Sequence, residues 1–290
     1  MNNPISTPDT FVVAMSEWLA SPASTPPDTT LFAVGDIHGR LDLLCALQRL
    51  ILEQANESNT TTQCIVYLGD YIDKGPDSLG VLRHLSYRLG NKRIHERYLL
   101  GNHDQYLLQT LQQGDPDVLA YGGRATLERL GVPWHPRYAN DSVPFQRRLH
   151  EALSGDVIDF LERLESFCQL GDYLFVHTGL DPNRPLIAQD LADFLLIREP
   201  FLSWPVQWPY PFCVVHGHTP ARPTLRPHRI GIDTGAFYTD ALTTIQLQER
   251  NIRFLTVSTR TDIEDNDWLS SLPKTKWAVH QQLAFSTNPI

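Results

Sequence analysis

From Leu31 onward, apolar runs of strand length alternate with stretches of helical periodicity. LFAVGD precedes LDLLCALQRLILEQ, CIVYLGD precedes SLGVLRHLSYRL, and RYLLGN precedes QYLLQTLQQ. Alternation with short connections predicts βαβ units and a largely parallel sheet. Between Gly114 and Gly171 the chain is more polar and helical, with VIDFLERLESF the clearest helix and WHPRY a predicted loop, so that about 114–170 reads as a helical insertion, an inserted cap. Beyond it YLFVHTG, FCVVHG, RIGIDTG, ALTTIQL and IRFLTV are short apolar runs separated by turn signals, which predicts a second, more antiparallel sheet packed on the first. The expected organisation is an α/β two-sheet domain over 29–260. Before it, 1–28 form an appendage rich in Pro, Ser and Thr, with one surface helix over Phe11–Leu19. After it, 261–290 form a polar tail containing Trp268 and Trp277.

Composition narrows the possible partners. A chain of 290 residues with 42% hydrophobic content can bury a substantial core. A net charge of −9 argues against a nucleic-acid partner held by bulk electrostatics. Cys45, Cys64, Cys168 and Cys213 lie far apart without C-x-x-C pairing, so they read as reduced thiols rather than a disulfide or zinc framework. No apolar run has the length of a membrane span and the N-terminus lacks a basic-then-apolar leader, so the expectation is a cytoplasmic protein with no membrane partner.

Chemistry is concentrated where the apolar runs stop. Asp36 and His38 end VGDIHGR, Asp70 lies in YLGDYIDKGPDS, Asn102 and His103 in LLGNHD, His177 in LFVHTGL, and His216 and His218 in VVHGHTP. In α/β folds the carboxyl ends of strands are where ligands gather. Aspartate, asparagine and neutral imidazole suit Mn²⁺, Fe, Zn²⁺ or Mg²⁺, and two such ions a few ångströms apart clamp an in-line displacement at phosphorus. Any one of these motifs alone is weak; five in this order point to a dinuclear centre.

The series GDIHGR, GDYIDKGPDS, GNHD, HTG and GHTP resembles the metallophosphoesterase signature, specifically its phosphoprotein phosphatase branch, which includes the bacteriophage lambda and calcineurin-type phosphatases. The likeness runs from about Leu31 to Leu247, with secondary marks at Ile197–Glu199 and at IDTGA, Ile232–Ala236. It implies a β-sandwich flanked by helices with the dinuclear site at one edge. It further implies that Asp36 and His38 bind the first metal, that Asp70 bridges both, and that Asn102, His177 and His218 complete the second, with two divalent ions, Mn²⁺ foremost, as cofactors. Shared coordination lowers the pKa of a water held between such ions. Where the wider superfamily has a further histidine this chain has Pro220, and His216 reads as either packed beneath the site or a ligand.

His103 is placed to protonate the leaving alkoxide, and Asp73 to orient its imidazole. Arg198 and Lys74 are expected to hold phosphate oxygens, lysine standing where protein phosphatases have arginine. Arg40 is a third candidate for the phosphate that alternatively faces solvent or pairs with a carboxylate. The implied activity is hydrolysis of phosphomonoesters, with a serine/threonine-type phosphoprotein as leading substrate and symmetrical dinucleoside tetraphosphate as the alternative. GNHD and Lys74 before Gly75-Pro76 favour the latter, and HTGL and GHTP the former.

Overall fold

The computed structural model of the protein describes residues 10–87, 94–114, 122–139, 141–205, 207–260 and 278–284. β3 (Thr29–Val34), β4 (Thr62–Tyr67) and β5 (Ile94–Tyr98) pair in parallel, connected through α1 (Leu41–Glu57) and α2 (Ser78–Ser86), as the alternating pattern predicts. α3 (Asn102–Gln113) follows β5 directly. Side chains of β3 alternate between two cores: Phe32 and Val34 face the helices, whereas Leu31 and Ala33 face the other sheet.

That other sheet has five strands in the order β6 (Phe167–Leu170), β7 (Tyr173–Val176), β8 (Cys213–His216), β10 (Arg229–Gly231) and β9 (Thr224–Leu225). Its central pairings, β7 with β8 and β8 with β10, are parallel. Its outer pairings, β6 with β7 and β10 with β9, are antiparallel; what the structure corrects is the expectation that ALTTIQL and IRFLTV belong to this second, more antiparallel sheet. β11 (Ala241–Gln248) and β12 (Asn251–Ser258) cross back to the first sheet, β11 lying antiparallel to β3. The reason is burial: seven of the eight β11 residues are buried, including Thr243, Thr244 and Gln246, so the strand needs cover on both faces. Thr244 is satisfied there by donating to the Ala33 carbonyl at 2.6 Å.

A second correction concerns the N-terminus. Phe11 to Met15 form strand β1 (Thr10–Met15), not a surface helix, and β1 lies antiparallel to β12, with Val13 opposite Val257. Phe11 and Val13, two residues apart, both enter the helix-side core, a period of two that a helix would break. β2 (Leu19–Ala20) also pairs with β12, so this segment is woven into the first sheet. β13 (Ala278–Ala284), from the stretch read as a tail, adds an edge beyond β1, while Trp268 and Trp277 lie outside the described residues.

The insertion contributes α4 (Gly123–Arg129) and α5 (Val143–Glu162), with a single 3-10 turn at Pro136–Ala139 in the predicted loop. Phe145, Leu149, Leu153 and Val157 of α5 enter the same core as α1, α2 and α3, so the insertion extends the helical layer. α6 (Leu191–Leu196) packs Phe194 on the outer face of the second sheet, and α7 (Ala236–Thr239) precedes β11. Among the described residues no helix is long and apolar enough to cross a membrane.

Candidate metal centre

The ligand candidates come from both sheets. Asp36 and His38 follow β3, Asp70 follows β4, and Asn102 opens α3 just after β5, while His177 and His218 follow β7 and β8. Their convergence depends on glycines at points of close approach. A Cβ on Gly217 would lie 2.0 Å from Asp36 Oδ1, and one on Gly101 would lie 2.2 Å from both the Asp70 backbone nitrogen and its Oδ1. His38, Asp70 and His218 themselves have left-handed backbone at φ 45, 54 and 65, as do Asp73 and Lys74 at 69 and 62. Non-glycine residues in this region carry strain of about 1–3 kcal/mol each, and such residues cluster where side chains must be aimed.

Asp70 stands between two histidines. Its Oδ2 lies 3.4 Å from His38 Nε2 and its Oδ1 lies 3.4 Å from His177 Nε2. Asn102 Oδ1 lies 3.1 Å from His177 Nε2 and 2.9 Å from His218 Nδ1. Two clusters result, one of His38, Asp70 and His103, the other of Asp70, His177 and His218, the ligand atoms of each within 4.8 Å of one another. His38 donates Nδ1–H to the Ile72 carbonyl at 2.7 Å and His177 donates Nδ1–H to the Leu68 carbonyl at 2.9 Å, so in both rings Nε2 faces the centre.

The charge balance also fits divalent cations. Asp36, Asp70 and Asp233 are all buried, and Asp233 Oδ2 and His218 Nε2 have no protein partner. Burial, reinforced by Asp233, pushes the Asp36 carboxyl well above the usual range. Burial likewise lifts Asp233 to about 6, with Asp70 adding to it. Burial alone would raise Asp70 too, but the neighbouring His177 and His38 hold it well below the ordinary value. For His177 burial favours the neutral ring, yet Asp70 and Asp36 overcome it and raise the imidazole to about 10. Burial lowers His38 to about 4 and His218 to about 3, keeping both as neutral ligands. A surplus of buried carboxylates beside the neutral imidazoles of His38 and His218, with two buried polar atoms lacking protein partners, is a donor set suited to two divalent ions.

Around these residues the remaining candidates separate. His103 Nδ1 donates to Asp73 Oδ2 at 2.7 Å, with both residues buried, so the expected pair is assembled. Lys74 places Nζ 2.9 Å from His38 Nε2 and 5.0 Å from the centre of the Phe237 ring. Arg198 is exposed, and its charge contributes to keeping His218 neutral. Arg40 takes the carboxylate alternative: its guanidinium bonds Asp42 at 2.9 and 2.8 Å, Asp240 at 2.6 Å and the Ala236 carbonyl at 2.8 Å, tying α1 to α7. His216 is packed beneath the site, its Nε2 accepting from Arg229 at 3.2 Å and its ring edge-on to Phe201 at 5.1 Å.

Sequence reasoning did not assign Asp233, whose only signal was its place in IDTG after a strand. Asp104 stands behind the ligand candidates. Its carboxylate accepts from the backbone of Asp70 at 2.8 Å, Tyr71 at 3.1 Å and Gly101 at 3.0 Å, fastening the turn that carries Asp70 to the start of α3.

The calcineurin-like phosphoesterase family model matches residues 29–247. The chain belongs to this family. Within the calcineurin-like phosphoesterases it is similar to the asymmetrical bis(5′-nucleosyl)-tetraphosphatase PrpE of Halalkalibacterium halodurans, 25% identical over 249 residues that cover 78% of this chain and 93% of the relative. A shorter stretch of 85 residues is 41% identical to the symmetrical bis(5′-nucleosyl)-tetraphosphatase of Legionella pneumophila, covering 29% of this chain and 28% of that enzyme. The crystal structure of a candidate diadenosine tetraphosphatase superposes with a TM-score of 0.54 at 24% identity, over 77% of this chain and 93% of that one, which supports the two-sheet fold. The fold class and family expected from the motifs therefore hold for this chain.

Proposed function

We propose that this phosphoesterase hydrolyses dinucleoside tetraphosphates, the alternative reading of its motifs, rather than phosphoproteins. The observation that carries this is an aromatic pair beside the phosphate-binding region. Phe237 packs edge-on to His38 at 5.5 Å beneath the Lys74 ammonium, and Tyr238 packs edge-on to Phe237 at 4.8 Å while remaining 56% exposed. A ring platform next to a cation suits a nucleobase linked to a phosphate chain. Lysine supports the same reading, because a point charge serves successive phosphates where a planar fork fixes one geometry. The tetraphosphatase activity named for PrpE, whose match spans 78% of this chain, agrees.

Asp36, His38 and Asp70 would hold one ion and Asp70, Asn102, His177 and His218 the other; when bound, the two ions supply Lewis acidity for the attacking water and for the phosphoryl charge. Lys74 and Arg198 orient the phosphate chain from the open side and neutralise its charge. Water attacks one phosphorus and loses a proton to solvent, the P–O bond to the departing group breaks, and His103 as imidazolium, its Nδ1–H held by Asp73, delivers its Nε2 proton to that oxygen. Incubating the Mn²⁺-loaded protein with diadenosine tetraphosphate and with a phosphoserine peptide, and resolving products by chromatography, tests the assignment. Faster nucleotide cleavage is expected, ADP alone or ATP with AMP revealing which bond breaks. Faster dephosphorylation of the peptide would restore the phosphoprotein reading.

A further inference from the structure

Behind the His103–Asp73 pair lies a closed ring of hydrogen bonds that reaches into the helical insertion. Asp73 donates its backbone N–H to Ser78 Oγ at 3.0 Å, Ser78 Oγ lies 3.3 Å from Thr126 Oγ1, and Thr126 Oγ1 lies 2.5 Å from Asp73 Oδ1. The directions follow from the ends of the chain. The Asp73 carboxylate only accepts, so Thr126 donates to it; Thr126 is then free to accept from Ser78, whose lone pair takes the Asp73 N–H. All three residues are buried. Oδ1 of Asp73 is thus occupied by Thr126, leaving Oδ2 for His103 Nδ1. Asp73 needs such anchoring, since its backbone is left-handed at φ 69 and the chain around it is a run of bends without ladder bonds.

Thr126 belongs to α4, far along the chain from every motif. The helix is fastened independently at its other end, where Arg129 donates to the Gly75 carbonyl. At its start, a Cβ on Gly122 would lie 3.6 Å from His103 Cε1 and 3.5 Å from Asp73 Cβ, so the entry to α4 forms the wall of the imidazole. We propose that Thr126 is a positioning residue for proton delivery: it fixes the Asp73 carboxylate so that Asp73 holds the His103 Nδ1–H and aims the Nε2–H of the imidazolium at the leaving group. The insertion then completes the site, and its first described helix couples to the chemistry through one hydroxyl.

This rests on the reading of His103 as proton donor, and the test separates the two. Metal-loaded wild type, Thr126→Val, Thr126→Ser and His103→Asn are assayed on phenyl and p-nitrophenyl phosphate, whose leaving groups differ in basicity. Thr126→Val is expected to lose roughly 10–100-fold in kcat on phenyl phosphate, the range for groups that orient a functional side chain, with a smaller loss on p-nitrophenyl phosphate. KM and metal content should hold, and Thr126→Ser should restore the rate. Thr126→Ala takes the place of the valine variant if the latter fails to fold.

Proton NMR of the metal-free protein provides a readout apart from turnover. The strongly deshielded His103 Nδ1–H resonance, assigned by its loss in His103→Asn, should broaden or vanish in Thr126→Val and return in Thr126→Ser. Persistence of that resonance unchanged in Thr126→Val overturns the inference, as does an equal loss on both phosphates. If His103→Asn itself shows no dependence on the leaving group, the proton-donor reading falls, while the resonance still decides whether Thr126 holds the pair.

Discussion

Lys74 sets its ammonium 2.9 Å from His38 Nε2, the nitrogen whose lone pair is turned toward the metal centre. One cation therefore stands where another is expected. In the metal-free protein the ammonium favours the charged form of Asp233 and the neutral form of His38, and an ion bound through His38 Nε2 would have to displace it.

Lys74→Gln should therefore separate metal binding from substrate binding. Removing the ammonium relieves repulsion with the incoming ion, so affinity for the first Mn²⁺ should rise by roughly tenfold or more, as expected for unit charges a few ångströms apart at partial exposure. KM for the tetraphosphate should rise in the same variant, because a phosphate contact is gone. Calorimetric titration with Mn²⁺ beside steady-state kinetics checks both; weaker metal binding would mean that Lys74 supports the ligands instead of competing with the ion.

Metal uptake should also release protons. His177 in the metal-free protein is raised to about 10 by Asp70 and Asp36 against the opposing effect of burial, so at pH 7.5 it carries a proton that ligation through Nε2 must expel. Asp36, held above its ordinary range by burial and Asp233, is a second source. Because the native metal-free state binds these protons and the metal-bound state does not, apparent affinity should increase with pH from 6.5 toward 10. Calorimetry at pH 7.5 in two buffers of different ionisation enthalpy should report release of at least one proton, whereas identical heats would contradict the assignment. Because the ions would supply the Lewis acidity, chelation should abolish turnover and Mn²⁺ should restore it.

That the six candidate ligand residues converge was legible in the sequence because each closes an apolar run, and runs that end at one edge of a sandwich bring their last residues together. His103 and Asp73 were legible for the same reason. The function of Arg40 was not, since its partner Asp240 lies 200 positions away and no local pattern couples them. Nor could periodicity tell that β11 and β12 belong to the first sheet: a short apolar run marks a buried strand but not which sheet buries it. The apolar stretch from Phe11 was too short for its period to decide between helix and strand. It became a strand because β12 offers an edge, a tertiary cause that propensity does not contain.

Arg40→Met should act on stability and leave substrate affinity alone. The Arg40 side chain is only 7% exposed and its two carboxylate partners are 17% and 43% exposed, so the pairs are partly screened. A loss of about 1–3 kcal/mol is expected, below the range for a fully buried pair and above that for a surface one. Urea unfolding and KM measured on the same preparations decide it; a large rise in KM without loss of stability would return Arg40 to the phosphate.

Tyr238 provides the sharpest division between nucleotide and phosphoprotein substrates. Its ring lies against the backbone of Gly235, where a Cβ would come within 2.3 Å of the ring carbon Cε1, so one side is seated while more than half of the residue remains open. Stacking of a base on such a ring contributes about 1–3 kcal/mol by alanine substitution. Tyr238→Ala should therefore raise KM for diadenosine tetraphosphate by roughly tenfold while leaving the inhibition constant of inorganic phosphate unchanged, since under the proposed function phosphate would reach the ions and Lys74 but not the platform. Tyr238→Trp should retain or improve affinity, as a larger ring keeps the stacking surface. Phe237→Leu is expected to perturb both measurements, because Phe237 also packs on His38 and beneath Lys74. If Tyr238→Ala instead leaves tetraphosphate hydrolysis untouched and weakens a phosphopeptide, the exposed ring serves a polypeptide, and the phosphoprotein reading replaces the nucleotide one.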